Sequence, residues 1–283
     1  MSEWTRTIHL GDTAITLINV GDIQLNLAEA YRLAEKDCPP GTSAIFSQPL
    51  RIPIQCILVQ TPQTNMLLDA SVYDFTPDSP LAIAGYQPPP GLLVRLAERG
   101  VKPDQIAHVV ITHAHFDHFS SVTEKRDGGY QPCFPSARHY VGLADWESAN
   151  MQKGLDDTAS VAGHTFGILH REGLLEPITG NRNLTPEIQI MAAPGETPGH
   201  QIVRVSTEGQ TFYGLGDLYH HPVEIEHPEW MPHWANADAN RSSRQRLVDA
   251  ALAENALLAA THIPMIGRLK PTASGVIWDT PKL

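Results

Sequence analysis

The sequence predicts an α/β fold, one domain over residues 1–283 with sheets at its centre. Three observations carry this. Short apolar runs rich in β-branched residues recur along the chain. They come first as strands alone and then alternate with helical stretches. Hydrophobic residues make up 42% of the chain, enough for a sizeable core, and no repeat, low-complexity tract or clear linker divides it.

The elements read in order. Residues 4–20 alternate around Ile8, Leu10, Ile15, Leu17 and Val20, with Gly11-Asp12 between them, a hairpin pattern. Residues 26–36 predict a short helix and 38–50, with Pro39, Pro40, Gly41 and Pro49, a loop. Ile52–Gln60 and Asn65–Asp69 read as strands, the proline-rich 74–91 as irregular, and Leu92–Arg99 as a helix stopped by Gly100. Ile106–Thr112 is a buried strand, 127–136 a Gly/Pro loop, and 143–152 and 160–172 helices, the second ending at Gly173. Ile188–Ala192, Gln201–Ser206 and Thr211–Leu215 read as strands. A long irregular loop over 219–240, a helix over Arg241–Glu254 and a last strand at Ala256–Ala260 complete the chain.

Composition narrows the function. The formal net charge of −11 argues against a nucleic-acid or anionic-membrane partner, which needs clustered Lys and Arg. No apolar stretch approaches a membrane span or a secretory leader, and Cys38, Cys56 and Cys133 form no metal clip or disulfide framework. A cytoplasmic protein is the expectation.

The densest chemistry is Thr112-His113-Ala114-His115-Phe116-Asp117-His118, four metal-ligand side chains directly after an apolar strand. Side chains at i and i+2 of a strand share a direction, so His113 and His115 can reach one ion while Asp117 and His118 face a second position. Three more segments put His200 in Pro194-Gly-Glu-Thr-Pro-Gly-His200, Asp217 after Gly216, and His262 after Thr261, each beside a strand. Imidazole and carboxylate suit Zn²⁺ first and also Fe, Mn or Co.

Over roughly residues 50–270 these motifs, T-H-A-H-F-D-H, P-G-x-T-P-G-H, G-D and T-H, resemble in order and spacing those of the metallo-β-lactamase-fold hydrolases. Leu67-Leu-Asp69 resembles the early L-D-x-G segment, with Ala70-Ser71 in place of the usual small residue and glycine. The resemblance implies an αββα sandwich, two mixed sheets flanked by helices. It implies one divalent ion on His113, His115 and His200 and a second on Asp117, His118 and His262. Asp217 would bridge them, and Asp69 would support a ligand. A hydroxide shared by the ions would attack the substrate, with Asp117 orienting it and moving a proton.

Within that family, an intact Asp217 argues against β-lactam cleavage, and the acidic chain argues against RNA processing. The wording G-D-L-Y-H-H-P at 216–222 and T-H-I-P at 261–264 is most similar to the lactonase and organophosphate-hydrolase group. A small-molecule lactone or activated ester is therefore the expected substrate, with a phosphotriester or aryl ester as the alternative. A non-catalytic metal-binding sensor or scaffold stands as a third reading, and a homodimer is an expected assembly. Tyr219 and His220 are both candidates to touch substrate, the alternative for each being packing or loop hydrogen bonding. Trp230, Met231 and Trp234 are candidates for a pocket wall, for a small core of the loop itself, or for a dimer contact. Glu196 stands where many relatives carry His, at a position the resemblance does not make a ligand.

Overall fold

The computed structural model describes residues 4–38, 42–273 and 275–280. Two mixed sheets stack face to face. The first has seven strands in the order Thr5–Leu10, Thr13–Leu25, Leu50–Gln60, Asn65–Leu68, Ile106–Val110, Arg138–Gly142, Leu175–Ile178. Its first four strands pair antiparallel and the remainder parallel. The second runs Arg182–Asn183, Ile188–Ala192, Gln201–Thr207, Gln210–Gly214, Leu257–Ala259, with only its last pair parallel.

Why the strand Leu50–Gln60 is apolar almost throughout follows from its two buried faces. Ile57 and Val59 point into the space between the sheets, where they meet Val203, Val205 and Phe212. Ile54, Cys56 and Leu58 point the other way, into a layer closed by Leu92, Leu96, Phe166 and Leu169 of the flanking helices. The second sheet buries its outer face, Ile202, Tyr213 and Leu258, under Leu247 and Ala251 of the helix Ala237–Ala253. The order of layers is therefore helix, sheet, sheet, helix, as expected. No helix among the described residues is long and apolar enough to cross a membrane.

Several local expectations need correction. The loop expected at 127–136 belongs instead to a hairpin, Thr123–Arg126 with Gly129–Pro132. It turns on Asp127 (φ 50°) and Gly128 (φ 85°), the Asp-Gly pair that favours such a turn. The helix expected over 26–36 is only Leu27–Tyr31, capped by the Asn26 side chain and ended by Arg32 at φ 53°; a 3₁₀ turn at Glu35–Asp37 follows. The 38–50 loop contains a helical turn at Ser43–Phe46, and Pro39, Pro40 and Gly41 lie outside the described residues. Both helices expected at 143–152 and 160–172 are broken in two, the second at Thr165 (φ −111°, ψ −88°). The last long helix starts at Ala237, where the Asn236 side chain accepts from the Ala239 amide. The strand Leu175–Ile178 and the hairpin Arg268–Thr272 with Gly275–Asp279 were not expected from local pattern.

Candidate metal centre

The site lies where the sheets' strand ends meet. Beyond the strand Ile106–Val110 the chain passes Thr112, turns, and makes one helical turn at Phe116–Phe119 that carries Asp117 and His118. Asp69 fixes the start of this segment. Its Oδ1 accepts from the Thr112 amide (2.7 Å), and its Oδ2 accepts from the Thr112 hydroxyl (3.0 Å) and from His118 Nδ1 (2.8 Å). Asp69 holds φ at 59°, a left-handed conformation uncommon outside glycine, which these three bonds offset. Gly216, at φ 53°, lies so close to Thr112 that a Cβ there would stand 2.7 Å from it. Only glycine lets the turn before Asp217 sit against the first motif.

The ligand candidates converge on Asp217. Its Oδ2 stands 3.3 Å from His118 Nε2, 3.2 Å from His262 Nε2, 3.3 Å from His220 Nε2 and 3.8 Å from His113 Nε2. Asp117 Oδ2 lies 3.6 Å from His118 Nε2 and 3.5 Å from His262 Nε2. His113 Nε2 and His115 Nδ1 are 2.8 Å apart. Two groups of donors result, each within 4.8 Å: His113, His115, Glu196 and Asp217, and Asp117, His118 and His262.

His200 belongs to neither group, though it is buried beside them. Its Nδ1 donates to the Ala193 carbonyl (3.0 Å) and its Nε2 accepts from the Asp217 amide (3.2 Å). Of the two adjacent substrate-contact candidates, the structure brings only His220 to the centre, stacked on the His262 ring at 5.6 Å. Tyr219 turns away and is buried under the Arg244 guanidinium, 4.5 Å from its ring. Trp230 packs with Tyr31 and Phe46 in a separate small core. Trp234 is 42% exposed and donates from Nε1 to Glu196 Oε1 (2.5 Å).

Three supporting residues escaped the sequence reading. Asp145 Oδ2 accepts from the Ala114 amide (3.0 Å) and the Thr197 hydroxyl (2.7 Å), and its Oδ1 accepts from the Gly199 amide (2.7 Å). One carboxylate therefore ties the first motif to the loop before His200. Gln55 Nε2 faces the carbonyls of Ala260 and Ile263 (3.1 and 2.8 Å), and His262 Nδ1 donates to the Pro53 carbonyl (2.8 Å). Glu224, fully buried, accepts from the His220 amide (3.1 Å). Each is a polar residue whose partners, backbone and side chain, are brought to it by the fold, and the local signal is a charged or amide side chain beside apolar residues.

Asp145→Ala removes the acceptor for two amides and a hydroxyl. We expect a loss of about 2–4 kcal/mol and weaker metal uptake, read by urea denaturation and metal analysis; an unchanged midpoint would show that the two loops hold themselves.

The electrostatics suit cations. Burial, with His118 and His115 nearby, holds His113 well below its ordinary pKa, and burial takes His200 down to about 4. Both are neutral, as a metal-binding imidazole must be. Burial also opposes charge on His118 and His220, but around His118 the carboxylates Asp217, Asp117 and Asp69 outweigh it, as do Glu196 and Asp217 around His220. Both are raised well above the ordinary value. Asp217 is held well below its ordinary value despite burial, because His118, His262 and His220 surround it. His118 Nε2, Asp217 Oδ1, Glu196 Oε2 and His220 Nδ1 are buried and make no hydrogen bond. Buried polar atoms without partners are rare, and this donor set, imidazoles and carboxylates facing one another, fits divalent ions. His113, His115 and Asp217 would hold one ion, and Asp117, His118, His262 and Asp217 a second.

Comparison with known families matches residues 51–262 to the metallo-beta-lactamase superfamily. The chain belongs to the metallo-beta-lactamase superfamily. Among curated relatives of this superfamily member, an N-acyl homoserine lactonase of Bacillus cereus is 21% identical over 169 residues, covering 56% of this chain and 60% of the lactonase. The chain thus spans about 60% of the length of that relative. A probable metallo-hydrolase of Bacillus subtilis is 27% identical over 107 residues, covering 37% of this chain and 44% of its own. Among solved structures, the hydrolase AbOPH superposes with a TM-score of 0.79 at 16% identity, covering 100% of this chain and 99% of its own. The dizinc quorum-quenching lactonase AidC, in complex with a product, superposes with a TM-score of 0.78 at 20% identity, covering 99% and 98%. These superpositions establish the layered fold described above.

Proposed function

We propose that this superfamily member hydrolyses lactones, or other activated carboxylic esters, with two divalent ions held at the Asp217 centre. One observation carries the reading. A single buried carboxylate oxygen, Asp217 Oδ2, lies within 3.2–3.8 Å of donor nitrogens from both ligand groups, His113 on one side and His118 and His262 on the other. The lactonase relatives and the dizinc lactonase neighbour agree with it in chemistry.

When bound, such ions supply Lewis acidity and bring the pKa of a coordinated water toward neutrality. The chain's own residues do the rest. Asp117, whose side chain is 11% exposed, is the least buried carboxylate of the two ligand groups and is placed to accept and release a proton. His220 sits on the wall of a cavity of about 300 Å³ and can donate to a substrate oxygen. Ile52, Ile263, Pro264, Met265 and Trp278 also line that cavity, apolar surface that suits the hydrocarbon part of an ester.

The test is a panel of short- and long-chain lactones, an aryl ester, a phosphotriester and a cephalosporin, offered to protein reconstituted with Zn, Mn, Co or Fe. Lactone kcat/KM should exceed the others by about a hundredfold, and His115→Ala should abolish it. Preference for the phosphotriester would replace the lactonase reading with a phosphotriesterase on the same centre. Silence on every substrate would reject the hydrolase and leave a metal-binding protein.

A further inference from the structure

We propose that Glu196 is a positioning residue whose carboxylate latches Trp234 over the mouth of the centre, and that the exposed indole face contacts an apolar group on the substrate. The proposal rests on the reading of the centre as the place where an ester is cleaved, and it adds a residue that selects among esters. Trp234 is 42% exposed, a large apolar ring left facing solvent. Single exposed rings are ordinary on protein surfaces. This one is tied down, because its Nε1 donates to Glu196 Oε1. The Glu196 side chain is fully buried and its Oε2 makes no hydrogen bond, so among the described residues the indole is the hydrogen-bond donor to this carboxylate. A carboxylate withdrawn from water makes a strong bond to the donor it keeps.

The latch is built from both ends. The Gly195 carbonyl accepts from the Asn236 amide (2.8 Å), and the Ser243 hydroxyl donates to the Pro194 carbonyl (2.7 Å). The turn that carries Glu196 is thereby fastened to the start of the helix Ala237–Ala253. Gly195, at φ 153°, packs there so closely that a Cβ would stand 2.4 Å from the Asn240 Cα. On the other side of Trp234, the His233 amide donates to the Ala30 carbonyl (2.7 Å). Glu196 Oε1, the oxygen that holds the indole, also lies 3.5 Å from His115 Nδ1 and 3.8 Å from His220 Nε2. The indole is therefore one carboxylate oxygen away from a ligand and from the side chain placed to touch substrate. Its ring meets the His220 ring edge to face, with centroids 6.1 Å apart and planes at 88°. The centre is open to solvent on this side, where the His115 side chain is 41% exposed. The cavity of about 300 Å³ beside His220 and His262 is lined by neither Trp234 nor Glu196, so it takes one side of the ester and the indole meets the other. A tryptophan offers a wide, stiff apolar face there at low entropic cost.

The experiment has two halves. The first uses metal-free protein labelled with ¹⁵N-tryptophan. The chain has five tryptophans, and the indole resonance lost in Trp234→Phe assigns the one in question. In wild type that proton should lie downfield and exchange slowly with water. Glu196→Gln, whose amide oxygen still accepts, should weaken both signs, and Glu196→Ala should abolish them. An unchanged shift and exchange rate in Glu196→Ala overturn the latch. The second half uses Zn²⁺-loaded protein and three γ-lactones: one unsubstituted, one with a hexyl tail on the carbon bearing the ring oxygen, and one with that tail beside the carbonyl. Trp234→Ala and Glu196→Ala should each raise KM for at least one tailed lactone about tenfold, change its kcat less than about twofold, and affect the unsubstituted lactone less. The double variant should be no worse than either single one, because the carboxylate acts through the ring. Unchanged KM on both tailed lactones, additive effects, or lost metal in Glu196→Ala overturn the proposal. A lower mass of Trp234→Ala by light scattering makes the ring a subunit contact and rejects its substrate role. A wild type silent on all three lactones overturns the ester reading and that role together, while the indole resonance still decides the latch.

Discussion

Asp217→Asn should lower ester hydrolysis by about three orders of magnitude, equivalent to about 4 kcal/mol of transition-state stabilisation, and leave the protein with at most one tightly held ion. The reason is geometric. Asp217 Oδ2 lies close to His113, His118, His220 and His262 together. Asn keeps the shape but removes the charge, and its amide offers a cation one weak oxygen in place of two strong ones. The same loss reaches the unloaded protein. The raised pKa values of His118 and His220 depend in part on Asp217, so both rings lose a counter-charge. Metal content per chain and kcat/KM on the best lactone check this. Unchanged content and rate would discard the shared-carboxylate role.

Arg244→Met should cost about 3–5 kcal/mol of stability and lower the melting temperature by about 6–15 °C, although residue 244 is none of the ligands. Glu224 and Arg244 form an ion pair at 2.6 Å with side chains 0% and 3% exposed. Arg244 also donates to the Leu218 carbonyl (2.9 Å) and the Trp230 carbonyl (2.6 Å). Glu224 accepts from the Tyr31 hydroxyl and the His220 amide. The pair therefore joins the helix Ala237–Ala253, the helix Leu27–Tyr31 and the loop that carries His220. Removing the guanidinium leaves a buried carboxylate without its counter-charge, the case in which a buried pair matters most. Burial raises the Glu224 pKa, but Arg244 and the hydrogen bonds outweigh it and depress the value. Its contribution to stability is then fully present above the ordinary carboxylate range and lost as pH falls through the depressed value. Thermal denaturation of metal-loaded protein measures the cost. The double variant Glu224→Leu/Arg244→Met should recover part of it, because no charge is then stranded. A single-variant loss within about 1 kcal/mol would show that the pair does not hold the loop.

Much of the centre was legible before any coordinates. Strand ends next to runs of His and Asp are unusual, and the family resemblance ordered them. The sandwich followed from the same resemblance, and the strand expected at Ile52–Gln60 is part of the observed Leu50–Gln60. Asp69 was legible too, through the resemblance of Leu67-Leu-Asp69 to the early L-D-x-G segment, with the capping of a turn as its alternative. Asp145, Gln55 and Glu224 were not, since most of their partners, backbone and side chain alike, come from distant segments. The hairpin at residues 123–132 was missed although Asp127-Gly128 announces it, because the surrounding Gly and Pro dominated the reading.

The amino-acid sequence by itself determined which side chains could hold a cation, which strands present them, and which faces of those strands are buried. These depend on residue type and on the period of a single element. Only the tertiary structure decided which candidates meet. Tyr219 and His220 are neighbours in the chain, yet one packs under Arg244 and the other reaches Asp217. His200 and Glu196 share a single turn, yet in this structure the carboxylate, not the imidazole, falls within the first donor group. Local spacing sets a side chain's direction only relative to its own backbone. Convergence within a few ångströms depends on how two sheets and three loops pack, and that is set by contacts more than a hundred residues apart in sequence, such as Gln55 with Ala260 and Tyr31 with Glu224.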